Sequence, residues 1–231
     1  MKDVFGEALL DWHLGIREHK LWINNKYGDP EEMPIDYYFR DIDELPEIEG
    51  YALTLCEGHV LDVGAGSGVH SLILQQHGLE VDALEISANA CKVLKERGVT
   101  SVLNQDVFEL KVTHRYDTIL ILMNGLGIAQ TIDGLKKLLN HLKTLLAPEG
   151  QILFDSSDVE YLFAGAEKPM DHYYGEMDYQ YEYKGEKEKW FKWLFIDFDF
   201  VQEIASQAGY LVDFMAQDDD GHYLCRLTLK E

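Results

Sequence analysis

The stretch HVLDVGAGSGVHSLILQQHGLEVDALE, residues 59–85, decides the predicted fold. It opens on a short apolar run, HVLDV, that is typical of a buried strand. A glycine-rich turn follows at 64–68, and apolar residues then recur at a helical spacing over 69–77. A second apolar run closes on the acidic Glu85. The pattern predicts a strand–turn–helix–strand unit, which is the first half of a nucleotide-binding α/β fold.

The glycines of this turn predict a ligand that approaches the backbone closely, because side chains there would block both the sharp bend and the ligand. The helix that follows presents free N–H groups at its start. Glu85 ends the second strand about twenty residues later, where a carboxylate usually accepts hydrogen bonds from a ribose diol. A dinucleotide and S-adenosylmethionine both fit this scheme. In the dinucleotide pattern, however, the third glycine would stand where this chain has Val69.

The segment VLDVGAGSG followed by ALEIS resembles the first two motifs of the class I S-adenosylmethionine-dependent methyltransferases, of the bacterial small-molecule type. Asp62, just before the glycines, matches that family and is not typical of dinucleotide binders. The resemblance extends from about Cys56 to the C-terminus. It implies S-adenosyl-L-methionine as the cofactor, with contacts from Asp62, Gly64, Ala65, Gly66, Gly68, Glu85, Ile86, Asp106, Val107 and Asn124.

Roles for the later residues also follow from the resemblance. In the family, an acid at the position of Asp106 accepts from the adenine amino group, and the next backbone N–H, here Val107, donates to the ring. An Asp after a strand is also a common turn residue, and the position of Asp106 after the first two motifs favours the binding role. Asn124 lies after a strand, where open α/β sheets bind ligands, and we expect it to line the site near the methyl group, with an ordinary turn Asn as the alternative. The Asp/Asn-Pro-Pro-aromatic motif of nucleic-acid amino-methylating members is missing at this position.

The predicted fold class is α/β, a seven-stranded, mostly parallel Rossmann-like sheet with its last strand antiparallel and helices on both faces. The predicted strands are 59–63, 79–84, 101–104, 116–123, 151–155, 210–216 and 222–229. The predicted helices are 1–26, 47–56, 69–77, 87–97, 131–147 and 199–208. Alternating aromatic residues after the fifth strand predict an inserted β-hairpin at about 156–196.

Residues 1–50 are predicted to form an N-terminal helical lid, and 51–231 the methyltransferase domain that carries the inserted hairpin. The lid is an implication of the resemblance, and simple packing of a Trp- and Tyr-rich segment is the alternative. Tyr38 and Arg40 are possible lid contacts, because a phenol and a cation could meet the cofactor carboxylate or the substrate.

The sequence does not identify a catalytic base. Candidates for taking a proton are His172 in the aromatic insertion, Asp155 and Asp158 after the fifth strand, and His70 at the start of the first helix. Packing or capping is the alternative for His70, and a position on an exposed loop is the alternative for His172. The base therefore stays open at this point.

A formal net charge of −22 disfavours a nucleic-acid partner, since such binding depends on Lys and Arg at the phosphates. No apolar run is long enough to cross a bilayer, and no signal segment precedes the fold, so we expect a cytoplasmic protein without membrane contact. The widely spaced Cys56, Cys91 and Cys225 suit reduced thiols and match no metal pattern. A small-molecule substrate and a monomer or homodimer are expected.

Three functional hypotheses remain. The favoured one is a methyltransferase that acts on an unidentified small molecule by in-line displacement. The second is a cofactor-binding, non-catalytic protein with the methyltransferase fold, since fold does not determine function. The third is a nicotinamide-dependent oxidoreductase, which the displaced glycine and Asp62 disfavour.

Overall fold

A computed structural model describes residues 2–165 and 167–230. The helices are α1 Val4–His13, α2 Glu47–Leu55, α3 Val69–Gln76, α4 Ala88–Arg97, α5 Ile132–Leu145 and α6 Phe198–Gln207. The strands are β1 Leu21–Asn25, β2 Glu31–Met33, β3 His59–Val63, β4 Glu80–Glu85, β5 Ser101–Asn104, β6 Tyr116–Ile121, β7 Leu146–Ser157, β8 Glu176–Tyr183, β9 Glu186–Lys187, β10 Phe191–Leu194, β11 Tyr210–Gln217 and β12 His222–Leu229.

The predicted seven-stranded sheet is confirmed, with strand order β11-β12-β7-β6-β3-β4-β5. The pairs β4–β5 and β6–β7 are parallel, whereas β12 pairs antiparallel with both β7 and β11. The predicted antiparallel last strand is therefore present. In this order, the strands that carry the glycine-rich motif lie at one side of the sheet and the C-terminal hairpin at the other.

The described residues divide into two compact units. The first contains those of Met1–Leu45, Leu61–Leu110 and Asp178–Phe191, and the second those of Pro46–Val60, Lys111–Met177 and Lys192–Glu231. The predicted domain division at residues 50 and 51 stays a prediction.

In the first unit, glycines set the ends of the helices. Gly68 precedes α3 and Gly98 follows α4, both with a left-handed backbone (φ +90° and +98°) that glycine adopts without a Cβ penalty. Ser87 caps α4, because its side chain accepts from the Ala90 N–H at 2.9 Å. These local signals explain why the two helices lie close to their predicted bounds.

The N-terminal segment differs from the prediction of one helix over 1–26. The helix ends at His13, and Gly15, with φ +85°, turns the chain away. Residues 21–25 are strand β1, in which Ile23 pairs antiparallel with Tyr181 of β8. The described lid segment thus contains α1, two strands, two short 3-10 helices (35–39 and 42–44) and the start of α2, rather than being helical throughout.

The aromatic insertion forms part of a second sheet. Its strand order is β10-β8-β1-β2, and β9 pairs with β8. The two strands predicted for the insertion are present as β8 and β10. Their pairing with the N-terminal strands was not predicted.

Helix α5 packs one apolar face inward, with Leu135, Leu138, Leu139, Leu142 and Leu145 buried. Leu146 was predicted to continue this face but begins β7 instead. Pro148 explains the difference, because proline cannot continue a helix and biases the residue before it towards extended backbone. Within the described residues, no helix is both long and apolar enough to cross a membrane.

Candidate functional site

The glycine-rich turn after β3 leaves backbone atoms of the first unit open to a ligand. Gly64 and Gly66 have φ of +75° and +56°, and a Cβ on Gly64 would meet no heavy atom within 4 Å. The Gly64 and Ala65 N–H groups both donate to the carbonyl of Leu84, at 2.8 and 3.1 Å. The turn is therefore attached to β4 while its outer side leaves space for a ligand.

Gly68 has a different role from the other two glycines. A Cβ there would come within 2.7 Å of Leu94 Cδ2 and 3.0 Å of Val99 Cγ2. Glycine at this position allows the start of α3 to pack against α4. The predicted cofactor contact of Gly68 stays a prediction, and its packing role is the direct observation.

Glu85 is buried at the end of β4 and faces the turn. Its Oε2 accepts from the Gly66 N–H at 2.9 Å, and its Oε1 accepts from the Ser87 N–H at 2.8 Å. Burial raises the pKa of Glu85 above its ordinary value of 4.5 and outweighs these N–H groups, while the nearby charge of Asp3 raises it further. The carboxylate is thus fixed in orientation, with lone pairs left for a diol.

An apolar surface lies beside this carboxylate. Ile86 follows Glu85 directly and is 70% exposed, which is unusual for an isoleucine next to a buried strand end. After β5, the Asp106 side chain accepts from the Phe108 N–H at 2.9 Å, and Val107 is buried. An exposed apolar side chain such as Ile86, next to a carboxylate that could bind a ribose, suits contact with a flat purine ring.

Asp62 is buried at the end of β3. Its Oδ2 accepts from the Ser71 hydroxyl at 2.5 Å. Burial raises the pKa of Asp62, and the charge of His70 and the hydrogen bonds of Ser71 oppose that rise. His70, one of the candidate bases, is itself buried on α3 and acts on Asp62 electrostatically.

One of the two predicted lid residues, Tyr38, lies next to the glycine-rich turn within the first unit. The Ser67 hydroxyl donates to the carbonyl of Tyr38. The Tyr38 ring packs edge-on against Phe5, with centroids 5.1 Å apart, and burial raises the pKa of its phenol. The Arg40 guanidinium stacks on the Tyr37 ring, 3.6 Å from its centroid. Tyr38 thus contacts the turn through its backbone, and its role as a lid contact stays a prediction.

The second unit brings Asn124 and Asp155 together. Asp155 Oδ1 accepts from the Asn124 N–H at 2.7 Å, and Oδ2 accepts from the Met123 N–H at 3.0 Å. Asp155 is fully buried, which favours a supporting role over direct proton transfer. His222, which the sequence did not single out, places Nε2 at 2.9 Å from Asp155 Oδ2.

The remaining candidates lie near solvent. His172 contacts the exposed Asp171 at 2.8 Å, and the pKa of Asp171 is lowered by that hydrogen bond. Asp158 accepts from the Tyr174 hydroxyl at 2.7 Å and from the Glu160 N–H at 2.8 Å. Both His172 and Asp158 therefore make the contacts that are typical of residues in surface loops.

Sequence reasoning missed three polar residues that the structure places at these sites, Ser71, Asp3 and His222. Ser71 lies in the first turn of α3, and its helical position facing β3 could have been inferred from the spacing. Asp3 caps α1 and accepts from the Ser87 hydroxyl at 2.8 Å, a contact between distant segments that carries no local signal.

The residues of the first unit fit S-adenosylmethionine. Glu85 offers a carboxylate for the ribose diol, Ile86 offers an apolar face, and Asp106 offers an acceptor after the next strand. Gly64 offers backbone without a side chain. Asp62 offers a buried carboxylate, and its predicted proximity to the methionine ammonium stays a prediction.

Comparison with known proteins agrees with this fit. A family model described as a methyltransferase domain matches residues 60–150. A crystal structure of a SAM-dependent methyltransferase from Bacteroides fragilis in complex with S-adenosyl-L-homocysteine is 36% identical, with a TM-score of 0.91 over 100% of this chain and 96% of that chain. A search of curated proteins found no significant match.

Two more distant structures share the fold. The CcbJ methyltransferase from Streptomyces caelestis is 16% identical, with a TM-score of 0.63 over 82% of this chain and 95% of its own. The sugar N-methyltransferase KedS8 from Streptoalloteichus is 15% identical, with a TM-score of 0.61 over 90% and 97%. At these identities the likeness concerns the fold alone.

Proposed function

This chain belongs to the S-adenosylmethionine-dependent methyltransferases, and from that premise we propose that it methylates a small-molecule acceptor by in-line displacement. Its cofactor is S-adenosyl-L-methionine rather than a nicotinamide dinucleotide. The observation that carries the assignment of residues is the buried Glu85, hydrogen-bonded to the Gly66 N–H and followed by the exposed Ile86.

Each residue of the first unit has a distinct task in this proposal. Glu85 accepts from the ribose hydroxyls, Ile86 covers one face of the adenine, and Asp106 accepts from its amino group. Asp62 offers negative charge to the methionine ammonium, and the backbone from Gly64 to Gly66 lies against the ligand. When bound, S-adenosylmethionine supplies a methyl group already activated on a sulfonium. The protein therefore has to align the acceptor with it and exclude water.

A small-molecule acceptor is supported by charge. The chain carries 42 acidic against 20 basic residues, so a polyanion would meet net repulsion. The exposed aromatic residues of the insertion, including Trp190, suit an apolar or aromatic compound. We further propose that the enzyme acts as a monomer or homodimer.

Two measurements test the proposed function. Calorimetry with S-adenosyl-L-homocysteine should show stoichiometric binding, and no binding at high micromolar ligand would refute the site. Formation of S-adenosylhomocysteine is then measured with a panel of amines, phenols, alcohols and thiols, and with tRNA and a mixture of unmodified peptides as comparators. Turnover restricted to the peptides or the tRNA would overturn the small-molecule assignment. Binding without turnover on every compound would favour the non-catalytic alternative.

A further inference from the structure

A buried carboxylate organises the carboxyl ends of β6 and β7. Asp155 accepts from the backbone N–H groups of Met123 and Asn124, at 3.0 and 2.7 Å. Both of these residues have a left-handed backbone, with φ of +63° and +54°. Residues other than glycine rarely adopt a left-handed backbone. Backbone strain of this kind is concentrated at sites where a protein binds a ligand or catalyses a reaction. Asp155 therefore holds a strained turn at the edge where open α/β sheets bind ligands.

His222 is the third group that Asp155 contacts. The register of β12 on β7 pairs His222 with Ser157 and Leu224 with Asp155, so the His222 and Asp155 side chains leave the same face of the sheet. Nε2 of His222 is 2.9 Å from Asp155 Oδ2. Nδ1 is 3.7 Å from Asp218 Oδ2, which is beyond hydrogen-bonding distance. Nε2 is buried and lies within ion-pair distance of Asp155 Oδ2 without the geometry of a hydrogen bond, and 19% of the side chain is exposed. A carboxylate at this distance favours the tautomer with the ring proton on Nε2, which leaves the Nδ1 lone pair for another partner.

Asn124 adds an acceptor next to this pair. Its side-chain Oδ1 is buried and has no hydrogen-bond partner within the described part of the chain. Its backbone carbonyl accepts from the indole N–H of Trp193 at 3.0 Å, which fixes the residue in place. A buried carbonyl oxygen of this kind is costly unless a donor binds it. A ligand that carries an N–H or O–H group would supply that donor.

We propose that His222 is the catalytic residue that takes the proton of the methyl acceptor, that Asp155 positions it, and that the acceptor atom is a nitrogen or oxygen bearing that proton. This inference rests on the proposed function. The lone pair of the acceptor forms the new bond to the methyl carbon as the carbon–sulfur bond breaks, and the electron pair of that bond stays on sulfur. The acceptor proton moves to His222 Nδ1, and the Asp155 carboxylate faces the resulting imidazolium.

Electrostatics around His222 agree with this role. Burial lowers the pKa of His222, but the contact with Asp155 and the charges of Asp155, Asp218 and Glu49 outweigh it and leave the pKa raised above 6.5. These carboxylates come from β7, from the turn before β12 and from α2. A base whose pKa lies near the working pH transfers protons most effectively.

The test compares His222→Gln with a matched control. His13 also contacts a carboxylate, Glu96, at 3.0 Å and is 24% exposed, but it lies on α1 in the first unit. With the amine or phenol that wild type methylates best in the panel above, His222→Gln should lower kcat by about 10²- to 10⁴-fold while binding S-adenosylhomocysteine as wild type does. His13→Gln should leave kcat, KM and binding unchanged.

Two further readouts separate proton transfer from a structural role. The acidic limb of the wild-type kcat profile should match the pKa of His222 measured by NMR with ring-labelled histidine, and should vanish in His222→Gln. If His222→Gln proves unstable, the double variant Asp155→Asn with His222→Gln replaces both partners of the contact by neutral amides, and its folded fraction should be equally slow. A folded His222 variant with wild-type kcat and an unchanged profile would overturn the proposal while leaving the proposed function intact. Failure of wild type to bind S-adenosylhomocysteine, or to turn over any panel compound, would refute the proposed function and with it this role.

Discussion

The backbone N–H of Gly66 donates to Glu85 Oε2 over 2.9 Å, and this hydrogen bond joins the glycine-rich turn to the end of β4. The second carboxylate oxygen accepts from the Ser87 N–H at the start of α4. One side chain thus sets the relative position of two loops and directs its remaining lone pairs outward. The orientation of Glu85 is therefore established before any ligand binds, which reduces the ordering cost of binding.

Glu85→Gln should weaken binding of S-adenosylhomocysteine by roughly ten- to a hundredfold, which corresponds to about 1.5–3 kcal/mol for a charge-assisted hydrogen bond. Both oxygens of Glu85 face backbone donors, so the amide nitrogen of Gln must point at one N–H group. Calorimetry measures the change. Glu80→Gln, at the exposed start of the same strand, serves as the control and should bind normally. Equal affinities in the two variants would remove Glu85 from the site.

Gly64→Ala should abolish most cofactor affinity at a modest cost in stability. Its φ of +75° makes alanine unfavourable by about 1–2 kcal/mol, and the added methyl group would occupy the space in front of the turn. Gly78→Ala is the matched control, because Gly78 has φ +85° and equally open space but lies at the other end of α3. Thermal melting should show similar losses for both variants. Calorimetry should show lost binding only for Gly64→Ala, and parallel losses would mean that strain alone explains the effect.

The glycine-rich turn and Glu85 could be predicted because their signals are local in the sequence. A buried strand, glycines at the bend and an acid at the next strand end fall within one short segment. The same holds for α5, whose leucines recur at helical spacing. For such elements, the spacing of the apolar residues and the residues at the ends predict the same secondary structure. The tertiary contacts then reinforce this local preference.

Strand β1 and His222 could not be predicted in the same way. The segment around Ile23 also satisfies a helical spacing, and its pairing with β2 on one side and with β8, far along the chain, on the other makes it a strand. His222 lies in a turn-like sequence, and its contact with Asp155 arises from the register of β12 on β7. Such pairings depend on long-range topology, which a single sequence does not encode locally.

The affinity for S-adenosylhomocysteine should fall on acidification at a pH above that expected for an ordinary glutamate. Protonation removes the acceptor that Glu85 offers to the ribose, and burial has raised the pKa of Glu85 above 4.5. Binding is therefore complete above the raised pKa and is lost as the pH falls through it. Calorimetry between pH 7 and pH 5 measures the midpoint.

Asp3→Asn should move that midpoint to lower pH, because the negative charge of Asp3 contributes to the raised pKa of Glu85. Asparagine is also a good N-cap, so α1 should keep its start. Asp29→Asn removes an equal charge from an exposed loop and is the control. A midpoint that moves equally in both variants would indicate a general charge effect instead of a local one.

Gly68→Ala should cost about 2–4 kcal/mol of unfolding free energy, more than Gly64→Ala, because overpacking adds to backbone strain. The new Cβ would lie 2.7 Å from Leu94 Cδ2. Leu94→Ala alone opens a cavity and should cost about 2–5 kcal/mol. In the double variant the truncated side chain at position 94 makes room for the methyl group added at position 68, so the combined loss should fall short of the sum by about 1 kcal/mol or more. Urea denaturation of the four proteins measures this coupling, and strictly additive losses would show that Gly68 is required for its backbone conformation only.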